Sequence, residues 1–149
     1  GGNPWKGMLY GMTNRNSVRY RYQKPLWDIW DSFGIQDAQM TGYWDKTCPV
    51  KTSHPDIKAT VFVKKDKVMI ALASWATTLV NCQLKIDFNT LGLDPKTTKL
   101  HAPQILDLPS NYPKSIMFPS HYQEHERWFE PSEKIPVEPG KGWLLIGSR

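Results

Sequence analysis

The stretch Ile57–Trp75, IKATVFVKKDKVMIALASW, constrains this chain more than any other. Ile57, Ala59, Val61 and Val63 alternate with Lys58, Thr60, Phe62 and Lys64, the period-2 pattern of a strand with one buried face. Lys65-Asp66-Lys67 breaks the apolar run and supplies a turn. The second strand, Val68 to Trp75, is apolar on both faces, so it belongs in the centre of a sheet with material packed on each side. A two-stranded hairpin is marginal in water, so the rest of the chain must provide its partners.

The downstream residues read as all-β. Asn81 to Phe88 alternates cleanly, and Leu91-Gly92-Leu93-Asp94-Pro95 is a turn that returns a Leu to the core. Lys99 to Leu106 predicts a strand broken at Pro103, which puts it at an edge or bulge. Pro109 to Pro119 is irregular, and Tyr122 to Phe129 is a further strand candidate. Ile135-Pro136-Val137 leads through Glu138-Pro139-Gly140-Lys141 into a buried closing strand, Gly142 to Ile146. Six to eight short strands separated by turns suggest a two-sheet antiparallel sandwich over residues 46–149.

The N-terminal part has a different pattern. Residues 7–12, GMLYGM, predict a short strand ending at the polar cluster Thr13-Asn14-Arg15-Asn16. Pro25 at a first helical position and Gly34 just past the end bracket a helix of about three turns. Its apolar stripe is Leu26, Trp27, Trp30 and Phe33, with Asp28, Asp31 and Ser32 opposite. Such a β–loop–α unit needs neighbours that do not follow it. The chain opens Gly-Gly-Asn-Pro without an initiator Met, and is expected to be the tail of something longer. Asp37 to Trp44 reads as an extended connection.

A hydrophobic content of 40% supports a real core, and no apolar run approaches the roughly 20 residues of a membrane span. A net charge of +5 raises the question of a nucleic-acid partner. The bases are scattered, however, except for Arg15 to Lys24, where Tyr20 and Tyr22 interleave them. Solvated loop is the commoner reading of that cluster, and no nucleic acid is expected. Two cysteines allow one disulfide; spacing alone does not decide between a Cys48–Cys82 bridge and buried free thiols, the commoner state.

Several phrases resemble a known family: NPWKGMLYGMTNR (3–15), PLWDIWDSFGIQDAQMTGYWD (25–45), PVKT (49–52), IKATVFVKKDKVMIALASWA (57–76), LKIDFNTLGLD (84–94) and EPGKGWLLI (138–146). Together they are similar to the C-terminal part of the family-123-like glycoside hydrolases, large secreted or cell-surface proteins in which a barrel precedes a β-sandwich. Residues 107–133 depart from the pattern. The resemblance implies that residues 1–45 carry the terminal strand and helix of a catalytic (β/α)8 barrel plus a connection. Residues 46–149 are then the C-terminal sandwich, and the remaining barrel, with most of the active site, is its partner. The implied fold is mainly β, an antiparallel β-sandwich preceded by a β–α remnant, located outside the cell or on its surface.

Barrel enzymes place their functional groups on loops after the strands, so Thr13, Asn14 and Arg15 would point into the mouth. There Asn14 suits sugar hydroxyls and Arg15 a carboxylate or other polar substituent; turn capping and solvation are the plainer alternative. Glycoside hydrolysis needs two carboxylates about 5–5.5 or about 6.5–9.5 Å apart, one with a raised pKa. Asp28 and Asp31 lie on an exterior helix and Asp37 and Asp45 in a connection, so this chain is expected to be non-catalytic. His121-Tyr122-Gln123-Glu124-His125 matches the inverted zinc-peptidase motif, which needs a helix and a third ligand. Pro119 and Pro131 confine it to barely two turns, and Glu130, Glu133 and Glu138 are the candidate ligands downstream. A solvated loop is the better reading, and neither metal nor cofactor is expected. Of the tryptophans, Trp75 and Trp143 are assigned to the core, and Trp44 and Trp128 are candidates for stacking on carbohydrate or for interdomain contact.

Overall fold

The computed structural model describes residues 4–11, 20–105, 123 and 125–148. Within them the chain forms helices α1 (Pro4–Met8), α2 (Tyr20–Phe33) and α3 (Phe88–Leu91). The strands are β1 (Gln39–Thr41), β2 (Val50–Thr52), β3 (Ile57–Val63), β4 (Lys67–Ser74), β5 (Val80–Ile86), β6 (Leu100–Ala102), β7 (Arg127–Phe129), β8 (Lys134–Val137) and β9 (Gly142–Ser148). They make a six-stranded sheet, β1-β3-β4-β9-β6-β7, and a three-stranded sheet, β2-β5-β8, with every pairing antiparallel.

The predicted hairpin is the middle of the large sheet. β4 pairs with β3 on one side and β9 on the other, in unbroken registers from Ile57↔Ser74 to Val63↔Val68 and from Lys67↔Ser148 to Ala73↔Gly142. Val68, Ile70 and Leu72 face the small sheet and pack with Val50, Cys82, Leu84, Ile135 and Val137. Met69, Ala71 and Ala73 face the other way, against Trp5, Met8, Leu9, Leu26, Trp30 and Phe33 of the helical layer. The strand is thus buried on both faces, as its composition requires. β3 differs from expectation: Thr60 and Phe62 are as buried as Ala59 and Val61, because the helices cover the face that alternation assigned to solvent.

That helical layer overturns the predicted strand at residues 7–12. Trp5, Met8 and Leu9 are spaced i, i+3, i+4, so all three reach one face of a helix, and all are buried. α1 ends in a turn closed by Gly11, whose φ of 68° is a left-handed conformation natural to glycine. The β–loop–α unit is therefore a pair of helices lying on the sheet. α2 carries its predicted stripe, with Leu26, Trp27, Trp30 and Phe33 all buried, and ends at Gly34. It begins earlier than predicted, at Tyr20, so Pro25 falls inside it.

The turn between β3 and β4 holds the end of α2. Lys64 Nζ donates to the Phe33 carbonyl at 3.1 Å and Lys67 Nζ to that of Ser32 at 3.5 Å. Both ammonium groups also lie over the Phe33 ring, at 6.0 and 5.3 Å from its centroid. Cations at a helix C-terminus satisfy orphan carbonyls and oppose the negative end of the dipole.

Other departures have local causes. The connection at 37–44 contains β1, an edge strand that pairs with β3 at Gln39↔Val63. β6 lies between β9 and β7 rather than at an edge. It stops before Pro103, and a side chain carries the ladder onward. Continuing the antiparallel register from His101↔Ile146 puts Pro103 opposite Leu144. There the buried Gln123 inserts its amide, Oε1 accepting from Leu144 N–H at 2.5 Å and Nε2 donating to the Pro103 carbonyl at 2.6 Å. Its own carbonyl accepts from Ile105 N–H at 2.8 Å. One side-chain amide thus bridges the Leu144 N–H and the Pro103 carbonyl where the two strands part.

Three substitutions test this architecture by urea unfolding. Gly142 lies so close to β4 that a Cβ there overlaps the Leu72 carbonyl oxygen, whereas a Cβ at Gly147 makes ordinary contacts of 3.6 Å. Gly142→Ala is expected to cost about 2–3 kcal/mol, and Gly147→Ala to stay within about 1 kcal/mol. Gln123→Leu is expected to cost about 1–3 kcal/mol for each backbone group left unsatisfied, and a midpoint equal to that of the parent would remove its bridging role.

Candidate functional site

Four large aromatic side chains emerge together beside β1 and the open end of the β3–β4 hairpin. The turn after α1 supplies Tyr10, the segment after β1 supplies Tyr43 and Trp44, and the residue after β4 supplies Trp75. Thr60 brings the first two segments together. Its buried hydroxyl donates to the Leu9 carbonyl at 2.8 Å and accepts from Tyr43 N–H at 3.3 Å. Tyr10 and Tyr43 consequently meet through their hydroxyls at 2.7 Å, and this bond raises the Tyr43 phenol above its ordinary value.

Trp44 stacks on Tyr10, with centroids 5.4 Å apart and planes 13° from parallel, and meets Tyr43 edge-on at 5.2 Å. Its indole also lies across Gly42, where a Cβ would collide with the ring. Tyr43 lies 6.3 Å from Trp75. The Lys6 ammonium sits 4.7 Å from the centre of Trp75 and that of Lys58 5.7 Å from Tyr43, both within cation–π range. Tyr10, Trp44 and Trp75 are 43%, 54% and 39% exposed, so these rings form a surface rather than a core. This corrects the assignment of Trp75 to burial: β4 ends at the buried Ser74, and the residue after it, Trp75, projects beyond the packed layers. Trp143 does sit against the core, its Nε1 donating to the Pro136 carbonyl at 2.7 Å.

Beside Tyr43 opens a cleft of about 250 Å³ lined by Lys51, Thr52, Ser53, His54 and Lys58. His54 Nδ1 accepts from Asp56 N–H at 3.1 Å. Lys51 Nζ donates to the Asp45 carbonyl at 2.9 Å. The Asp45 carboxylate caps the next turn, and the backbone N–H and hydroxyl of Thr47 hold its pKa below the usual aspartate range.

Of the site residues expected from sequence, the two that are described, Trp44 and Trp128, do not converge. Asn14 and Arg15 lie outside the described residues. Trp44 joins the aromatic cluster, whereas Trp128 lies on β7 at the opposite edge of the six-stranded sheet, five inter-strand steps of about 4.8 Å from β1. Trp128 is 60% exposed and stacks on its register partner His101 at 4.1 Å, and His101 Nε2 meets Glu126 Oε1 at 2.8 Å. Of the His-x-x-Glu-His motif, His121 and Glu124 lie outside the described residues, His125 is exposed, and Gln123 has the structural role given above. Among the described residues no three His, Cys, Asp or Glu side chains gather as a metal site, and no helix is long and apolar enough to cross a membrane. Cys48 and Cys82 are both buried free thiols. Tyr10, Tyr43 and Trp75 were not singled out with Trp44 in sequence because they come from segments far apart along the chain.

Every Asp and Glu among the described residues is exposed, including Asp28, Asp31, Asp37 and Asp45. Asp87, like Asp45, is held below the ordinary range, here by the backbone N–H and hydroxyl of Thr90, as the cap of α3. Neither environment raises a carboxyl pKa as a general acid requires.

A family model described as glycoside hydrolase 123, C-terminal domain, matches residues 22–148. The chain belongs to this family. The match begins inside α2 and runs through all nine described strands, and it includes the stretch 107–133 where the sequence phrases departed from the pattern. No curated protein and no solved structure matches the chain. In this chain the domain is a mainly β, antiparallel two-sheet unit, with α1 and α2 covering one face of the larger sheet.

The free cysteines give a direct check. Unfolding without reductant is expected to expose two titratable thiols, and the folded domain should react slowly, since burial also pushes the Cys48 thiol pKa up.

Proposed function

We propose that this domain is the non-catalytic C-terminal β-sandwich of a secreted glycoside-hydrolase-like protein, and that it buttresses the catalytic barrel. The observation that carries the reading is the exposure of every described carboxylate. A glycosidase acid needs an apolar pocket to hold its proton at neutral pH, and a nucleophile or base must face it across the scissile bond. With α1 helical and packed on the sheet and residues 9–11 in the turn after it, the barrel parentage rests on family membership rather than on a barrel strand among the described residues. The secreted or cell-surface location belongs to the same proposal.

The alternative, a carbohydrate-binding or surface-assembly module on an inactive barrel, draws support from the aromatic cluster around Trp44. The two readings are compatible in one respect, because neither asks this domain for chemistry.

The purified domain is expected to release no aryl alcohol from a panel of aryl glycosides. Removing residues 22–148 from the full-length protein is expected to lower the melting temperature of the remainder. Turnover by the isolated domain, or a truncated protein that melts unchanged, would each overturn the proposal.

A further inference from the structure

We infer that the cluster of Tyr10, Tyr43, Trp44 and Trp75, with the cleft beside it, is a binding site for an anionic glycan. Three independent features converge there. The first is ring area. Sugar rings offer C–H-rich faces that pack on aromatic surface. Tyr10, Trp44 stacked on it, and Trp75 beyond Tyr43 together leave more ring surface exposed than a lone surface tryptophan such as Trp128.

The second is adjacent polar capacity. The cleft of about 250 Å³ begins at Tyr43 and continues past Lys51, His54 and Lys58. The Thr52 hydroxyl is spent on the His54 and Ile57 carbonyls, Ser53 Oγ accepts from Gln83 N–H, and His54 Nδ1 accepts from Asp56 N–H. The two ammonium groups and the second imidazole nitrogen are therefore what the cleft offers a chain stacked on the rings. A binding site combines an apolar platform with a few convergent polar groups in this way. Tyr10 and Tyr43 bring two phenol oxygens to the platform itself.

The third is charge. Lys6 and Lys58 extend over Trp75 and Tyr43, and Lys51 lines the cleft with Lys58. Of the carboxylates in the same segments, Asp45 is bonded to Thr47 and offsets Lys51, and Asp56 lies next to the Trp75 contact through its backbone carbonyl. The balance stays positive, in a chain of net charge +5. Ammonium groups over ring faces favour a ligand that brings carboxylate or sulfate, since it gains ion pairing as well as stacking. Uronic acids and sulfated sugars share that chemistry.

This assignment adds a ligand to the accessory role and fails separately from it, because binding and hydrolysis are read by different experiments. The domain is titrated with an oligogalacturonate, a heparin-derived oligosaccharide and neutral cellohexaose, followed by calorimetry and tryptophan fluorescence at low and high salt. Binding of at least one anionic glycan is expected, weakened by salt, with cellohexaose much weaker. The oligogalacturonate and heparin arms distinguish carboxylate from sulfate as the source of charge. Trp44→Ala is expected to weaken binding about tenfold. Lys58→Gln should weaken the anionic ligands several-fold while leaving cellohexaose unchanged, and Trp128→Ala should match the parent. Absence of binding by either anionic ligand overturns the site. So does anionic binding indifferent to Trp44→Ala, which marks non-specific charge attraction, or equal affinity for cellohexaose, which removes the anionic class. Protection of Trp44 from acrylamide quenching in the full-length protein would make the patch a contact between domains and overturn it as well.

Discussion

The rest of the fold follows from the double-sided burial of β4. A strand whose successive side chains are Val68, Met69, Ile70, Ala71, Leu72 and Ala73 cannot leave either face to water without losing about 1.5–3 kcal/mol for each large residue exposed. Two different layers must therefore be brought to it. The small sheet covers one face, and α1 and α2 cover the other. The size difference within β4 suits this division. The inner face presents Val, Ile and Leu to a sheet, while the helical face alternates Met with two alanines and leaves room for Trp5 and Trp30.

Three polar devices hold those layers in register, and each uses a side chain to satisfy backbone groups from distant segments. Thr60 joins the turn after α1 to the segment after β1. Lys64 and Lys67 close the end of α2. Gln123 bridges the point where β6 leaves β9 at Pro103. Unpaired backbone groups in these places would cost as much as a lost core contact, so the bonds secure layer placement more than they add net stability. The first device also determines the surface: by docking Leu9 beside Tyr43, Thr60 makes Tyr10, Tyr43 and Trp44 neighbours. A buried hydroxyl in the sheet is thus a precondition for the exposed aromatic cluster.

Membership of the glycoside hydrolase 123 C-terminal domain family and the lack of any enclosed carboxylate among the described residues fit one picture. On the proposed reading the domain offers surfaces instead of reactive groups. Its buried Thr60 and Gln123 are engaged with backbone, and its unusual exposure is aromatic.

The hairpin, the α2 stripe, the Leu91–Leu93 return and the closing strand were legible in the sequence because each depends on a periodicity contained within one segment. The residues 7–12 were misread because GMLYGM is too short to display its own period, and the decisive Trp5 lies outside it. Gln123 stood inside an apparent zinc motif, yet its role depends on Pro103 and Leu144, far away in the chain. Trp44 was visible as a candidate, while its companions Tyr10 and Trp75 were not, since nothing local records that three separate segments end at one corner. Sequence by itself determined a mainly β chain with one strand buried on both faces, because alternation and composition act residue by residue. Only the tertiary structure decided what covers that strand and which side chains share a surface, because those outcomes depend on long-range pairings that no single segment encodes.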